Sequence, residues 1–167
     1  MELRRPTEAD KETILDMVAE FRAAKSADDG FFGEENFIYE DWLATIQAAE
    51  QGVGIPQGFV PYLQLVAFDE QERALGFVNL RLRLTDTLLE HGGHIGYSIR
   101  PSERGKGYAK ESLRQALQLA SQKRLERALV TCSRSNEASR RTILANGGVL
   151  EDIRQGTERY WIETTKV

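Results

Sequence analysis

Cysteine and histidine are nearly missing from this sequence, with one cysteine, Cys132, and two histidines, His91 and His94, among 167 residues. A lone cysteine cannot close an internal disulfide, and two histidines with one thiol cannot assemble an ordinary zinc site. A disulfide scaffold and a structural metal are therefore not expected. No run of about 18 apolar residues occurs, so no membrane span is expected. The opening stretch MELRRPTEADKE has neither the apolar segment nor the cleavage site of a secretion signal, which points to the cytoplasm. Proline, at 4 residues, and glycine, at 14, are too few for a collagen-like or low-complexity chain. The rest is ordinary: 41% hydrophobic and 29% charged residues suit one soluble domain over residues 1–167 with a single core.

Charge is unevenly spread. The formal net charge is -4, yet residues 100–145 hold 11 of the 22 Lys+Arg and only 4 of the 26 Asp+Glu. A basic third on an acidic protein attracts a polyanionic ligand, while the acidic remainder discourages nucleic acid and favours a cation.

Periodicity orders the elements. Glu2 to Arg5 reads as a strand, and Pro6-Thr7 with Asp10 three residues on gives a helix start. Ile14, Leu15, Val18 and Phe21 predict a helix over 8–24, and Trp42, Leu43 and Ile46 another over 39–50. Residues 52–58, rich in Gly, form a loop. Strands are expected over 62–68, 74–84 and 92–99, the first two as a hairpin. Ala109, Leu113, Ala116, Leu117 and Ala120 line one side of a helix over 105–122. A strand over 128–132, a helix over 137–145 closed by Asn146-Gly147-Gly148, and strands over 149–153 and 158–162 complete the chain. The order implies a mixed sheet flanked by helices in a three-layer α/β (α+β) domain.

Chemistry concentrates in HIGYSIRPSERGKGYAKESL, where a strand runs through a glycine loop directly into a helix. Gly105 and Gly107 let the backbone bring its amides close to a ligand, and the unpaired amides and positive dipole end of the helix point to the same place. Arg104, Lys106 and Lys110 add charge, so an anion is expected there. The GxxxxGK[ST] string of a P-loop and the GxGxxG fingerprint of a dinucleotide fold are both missing.

The segment resembles the (Arg/Gln)xxGx(Gly/Ala) signature of the GNAT superfamily of acyl-CoA-dependent N-acyltransferases, matched by Arg104, Gly107 and Ala109. The resemblance extends over nearly the whole chain. It implies a mixed, mostly antiparallel sheet of about seven strands flanked by about four helices, acetyl-CoA as cosubstrate, and no metal. It further implies that Ile99, Arg104, Gly105, Lys106, Gly107, Tyr108 and Ala109 hold the cofactor, with Asn136 of SRSNEASRRTILANGG on the pantetheine arm. Many members carry a tyrosine that protonates the departing thiolate, where this chain has Ile143. Ser139 is the nearest hydroxyl, and a thiol of pKa about 8.5 already leaves well. For the base that frees the amine, the resemblance points to His94 and Glu90. Cys132 reads as a small buried hydrophobe.

The expected reaction is acetyl transfer to a primary amine of a small molecule by direct attack. The acidic and aromatic stretch formed by Asp28, Asp29, Phe31, Phe32, Glu34, Glu35, Phe37, Glu40, Asp41 and Trp42 suits a cationic acceptor. A protein N-terminus or lysine as acceptor, and a CoA-binding module without catalysis, both stay open. No nucleic-acid or membrane partner is expected, and a homodimer is compatible with this reading.

Overall fold

Among the described residues two antiparallel sheets and five α-helices make up the fold, and a gap between the sheets sets up the site. The computed structural model describes residues 1–30 and 38–166. One sheet holds β1 (Glu2–Arg4), β2 (Tyr62–Phe68), β3 (Ala74–Arg81) and β4 (Ile95–Ile99) in that order. The other holds β5 (Arg127–Ser133), β6 (Val149–Arg154) and β7 (Thr157–Glu163), with β7 in the middle. The helices are α1 (Lys11–Ala23), α2 (Tyr39–Glu50), α3 (Asp86–Glu90), α4 (Tyr108–Gln122) and α5 (Glu137–Ala145). Among the described residues no helix is long and apolar enough to cross a membrane.

β2 and β3 are buried along nearly their whole length, because helices cover both faces of their sheet. On one face Ile14, Met17, Val18 and Phe21 of α1 and Trp42, Leu43 and Ile46 of α2 pack on Val66, Phe68 and Phe77. On the other, Leu113, Ala116, Leu117 and Ala120 of α4 meet Leu63, Leu65, Leu75, Val78 and Leu80. Three- and four-residue spacing puts the α4 set on one stripe, and each fully buried leucine contributes about 1.5 to 3 kcal/mol. At the N-terminus, Thr7 N–H donates to Asp10 Oδ2 at 2.8 Å, the acidic half of the expected helix start.

The fold departs from the sequence expectation in three places. One sheet was expected, but β4 and β5 fall in separate sheets. β3 stops at Arg81, and residues 85–90 turn into α3, with Thr85 Oγ1 accepting the Leu88 N–H at 3.1 Å. This adds a fifth helix to the four expected. α4 starts at Tyr108 and not at residue 105, because Gly105 and Gly107 take φ of +77° and +85°, outside the right-handed helical region.

Arg100 locks the end of β4 to α1. Its guanidinium is 2% exposed and donates to Asp16 Oδ2 (2.7 Å), Glu20 Oε1 (3.0 Å) and Ala74 O (3.0 Å). Glu20 also accepts the Ser102 N–H at 2.7 Å. Burial opposes the Glu20 charge, but Ser102 and Arg100 together hold its pKa down to about 2. The start of the 101–107 loop is therefore anchored before the glycines begin.

Candidate active site

β4 is the last strand of its sheet, and the site forms along its free edge. Arg81 N–H donates to His94 O at 2.6 Å and Arg100 N–H to Leu75 O at 2.9 Å. With the register unbroken between them, Gly96 and Ser98 are the β4 residues that exchange bonds with β3. Ile95, Tyr97 and Ile99 turn their N–H and C=O groups the other way. At the near end that side is closed: His94 N–H donates to Leu129 O at 2.7 Å and Leu129 N–H to His94 Nδ1 at 2.9 Å. Gly93 permits this clasp, since a Cβ there would stand 2.3 Å from Leu129 O. Beyond the clasp the strands part, and the backbone of residues 97 and 99 faces a wedge.

A cleft of 580 Å³ occupies the wedge and the space beyond it. Its walls are Tyr97, Ser98 and Ile99 of β4, Arg104, Gly105 and Gly107 of the loop, Tyr108, Ala109 and Lys110 of α4, and Asn136, Ser139 and Arg141 of α5. Gly107 is the N-cap of α4 and among the described residues no side chain caps that end, so the first-turn amides are left to a ligand. A wider hollow of 740 Å³ adjoins the cleft across Gly107 and Lys110, but none of the β4 backbone or α5 hydroxyl groups reaches it.

The expected cofactor residues line the cleft with one exception. Lys106 is outside its lining; the ammonium is 2.8 Å from Oε2 of Glu103, itself a residue of the cleft wall. Arg104 Nε donates to Ile99 O (2.9 Å) and Nη2 to Ser26 Oγ (2.8 Å). The guanidinium thus braces the loop against the strand, and the Ile99 carbonyl is already taken. Asn136 Oδ1 accepts the Ser139 N–H at 3.1 Å as the α5 cap, which leaves its amide NH₂ for the cleft.

Ser139 meets a partner the sequence reading missed. Its Oγ is 2.7 Å from the Tyr97 hydroxyl. Burial pushes the Tyr97 pKa up to about 12, so the phenol keeps its proton at neutral pH. Ile143 is fully buried and away from the cleft, packed where a Gly148 Cβ would come within 2.4 Å of its Cγ2.

On the opposite face of β4 stands Asp29. A Cβ on Gly96 would be 2.6 Å from Asp29 Oδ1 and 3.3 Å from Arg81 Nη2, so only glycine lets the carboxylate lie against the strand. The Asp29 backbone N–H donates to Ser98 Oγ (2.9 Å), and its carbonyl accepts from Gln64 Nε2 (2.9 Å). Burial raises the carboxyl pKa, while Ser98 and the nearby Arg81 charge oppose the rise. A half-buried carboxylate beside a cleft strand is a candidate base. Asp29 was read only as part of an acidic stretch; Phe31, Phe32, Glu34, Glu35 and Phe37 of that stretch lie outside the described residues.

The two residues expected to act as base lie elsewhere. His94 is buried, and with Nδ1 accepting from Leu129 its ring proton sits on Nε2. Burial and the Arg81 charge push its pKa down to about 4, so its work is to clasp β5 to β4. Glu90 ends α3 and pairs with Arg154. Neither lines the cleft, and nor does Asp29, which reaches the cleft strand at Gly96 and Ser98. Cys132 is buried as expected, its thiol pushed up to about 11 by burial and the adjacent Glu158. Among the described residues no group of three or more His, Cys, Asp or Glu could hold a metal ion.

Comparison with known proteins points the same way. No curated relative matches the chain by sequence. Among solved structures, yncA from Salmonella typhimurium with its cofactor acetyl-CoA superposes with a TM-score of 0.63 at 17% identity, covering 98% of this chain and 93% of that one. The spermidine N-acetyltransferase from Vibrio cholerae in complex with CoA and spermine gives 0.65 at 17% identity, covering 99% and 96%. An acetyltransferase from Agrobacterium tumefaciens gives 0.60 at 18% identity, covering 96% and 89%. At such identities the likeness is one of fold. The family model of the acetyltransferase (GNAT) domain matches residues 1–149, and the chain therefore belongs to the GNAT acetyltransferase family.

Proposed function

We propose that the protein transfers an acetyl group from acetyl-CoA to the primary amine of a small molecule by direct attack, with no acyl-enzyme. The observation that carries this reading is the wedge beside β4, which runs from free strand backbone to the uncapped N-terminus of α4. These residues fit acetyl-CoA. The amides around Gly105, Gly107 and Tyr108, with Arg104 and Lys110, suit a pyrophosphate. The Tyr97 backbone groups, the Ile99 N–H and the Asn136 amide suit a pantetheine arm. Bound there, acetyl-CoA supplies an activated thioester.

The chain's own groups handle the protons. Asp29 takes the proton of the bound ammonium and so frees the lone pair to attack, in place of His94 or Glu90, and a second N–H proton passes to solvent as the N–C bond forms. The Tyr97–Ser139 pair gives a proton to the sulfur as the C–S bond breaks. Cys132, buried and with a raised pKa, is unsuited to carry the acetyl group itself.

The test is thiol release from acetyl-CoA with a panel of primary amines, paired with mass analysis of the products. Amine-dependent release with an acetylated amine is expected. Tight acetyl-CoA binding by calorimetry, with no release on any amine or peptide, would leave a CoA-binding module and overturn the reading.

A further inference from the structure

Next to Asp29 lies a small pocket that the acetyl-transfer chemistry does not use. It has a volume of 180 Å³ and is walled by Phe59, Val60, Tyr62 and Leu88, with Asn79 and Arg81 at its floor. Its size is informative, because an apolar protein cavity of about 150 Å³ accepts benzene. One compact ring or branched alkyl group would fill it.

Arg81 joins this pocket to the base. It lines the pocket, and its Nη2 and the Asp29 Oδ1 lie 3.3 and 2.6 Å from the same point above Gly96. Its Nη1 donates to Gly92 O (3.0 Å) and Gly93 O (3.2 Å), so the guanidinium is held in place. Asn79 Nδ2 donates to Gln64 Oε1, and Gln64 to Asp29 O, so the floor's polar groups are committed too. Among the described residues no carboxylate lines the pocket. A second ammonium, as in a polyamine, would have to enter an apolar space beside a fixed guanidinium, and burying an unpaired charge is costly.

We infer that the acceptor is a small primary amine bearing one compact apolar group, an aryl ring or branched alkyl chain, which this pocket takes while the nitrogen lies at Asp29. The inference rests on the acetyltransferase reading above. The specificity of the site then comes from Phe59, Tyr62 and Leu88 and not from paired acidic groups.

The experiment measures thiol release from acetyl-CoA with phenethylamine, isopentylamine, ethylamine and spermidine. The apolar amines should exceed ethylamine and spermidine in kcat/KM by about ten- to a hundredfold, as burial of a ring or branched chain implies. In Leu88→Asp, which sets a carboxylate in the wall, the phenethylamine-to-spermidine ratio should fall at least tenfold. Phe59→Ala should lower the same ratio; that side chain is 60% exposed, so its removal spares the core. Spermidine turning over as well as phenethylamine would overturn the inference and leave the acetyltransferase reading standing. No release with any amine despite acetyl-CoA binding would overturn both. A preference for apolar amines that neither variant changes would overturn the assignment to this pocket.

Discussion

Replacing Asp29 with asparagine isolates the proton-accepting step. The hydrogen bonds that fix the backbone of residue 29 to Ser98 and Gln64 survive in Asp29→Asn, which keeps the side-chain size, removes the charge and leaves an amide oxygen toward Ser98. General-base catalysis contributes typically ~10²–10⁴-fold, and because the asparagine oxygen still accepts a hydrogen bond the loss should lie near the low end, about 100-fold in kcat/KM at pH 7. The pH profile carries the sharper test. For an alkylamine of pKa about 10, the neutral fraction rises about 500-fold between pH 7 and pH 10. A variant that takes only free amine from solution should follow that rise at one decade per pH unit, while the parent climbs less and the gap narrows.

The acid side has a definite sign as well. Burial raises the Asp29 pKa above its ordinary value, so the parent's activity should fall with acid at a pH above the usual carboxylate range, and that limb should vanish in Asp29→Asn. The assay is continuous thiol release at saturating acetyl-CoA, using the amine of the panel that turns over fastest, with thermal melting as a control for folding. Gly96→Ala is a second arm, since its methyl would meet Asp29 Oδ1 at 2.6 Å and push the carboxylate off the strand with a comparable loss. Parallel pH profiles for parent and Asp29→Asn, or more than half the parental kcat/KM at pH 7, would refute the role of Asp29.

Other consequences are equally direct. Gly107→Val places a β-branched residue at φ +85° where a Cβ meets nothing within 4 Å; left-handed strain, about 1 to 2 kcal/mol or more, should distort the loop and weaken acetyl-CoA binding at least tenfold by calorimetry. Tyr97→Phe and Ser139→Ala should each lower kcat several-fold with little change in acetyl-CoA affinity, and parental turnover in both variants would remove the pair as proton donor. Glu20→Gln should lower stability by about 2 kcal/mol at pH 7, as for a lost charge-assisted hydrogen bond. Because the folded pKa of Glu20 is held down to about 2, that stability is present above its unfolded value and is lost as pH falls toward 2, so denaturant melts of parent and variant should converge in acid.

Much of this architecture can be read from local pattern. α2 over 39–50, α5 over 137–145 and β2 over 62–68 start and stop at the expected residues, because each has a clear apolar period and a definite break at its ends. The glycine loop before α4 is equally local, since its signal is a contiguous string. α3 was missed because five residues hold too little period to reveal a helix, and only the Thr85 cap marks it. The parting of β4 from β5 depends on pairing between distant segments, and no single strand encodes it. Lys106 shows the same limit, since its charge sits in the loop but is taken up by Glu103. Asp29 was hidden for a related reason: the contact with Gly96 spans most of the first hundred residues, and the only local trace is a glycine inside an apolar strand, a mark of close approach by another group.

The alternation of β4 explains why the two proposed proton-handling groups come from different parts of the chain. Successive residues of a strand point to opposite faces. Gly96 and Ser98 therefore face α1 and α2, where they receive Asp29, and Tyr97 faces α5, where it meets Ser139. In acyl transfer the amine must add to the thioester carbon while the sulfur departs elsewhere, so the base and the acid must not compete for one position. A strand running past the thioester separates them without further machinery. The same separation keeps their environments apart: burial raises the Asp29 pKa while Ser98 and Arg81 oppose the rise, whereas burial keeps the Tyr97 phenol neutral, with its pKa pushed up to about 12. Asp29 on one face of β4 and Tyr97 on the other thus meet different environments, as two separate proton transfers require.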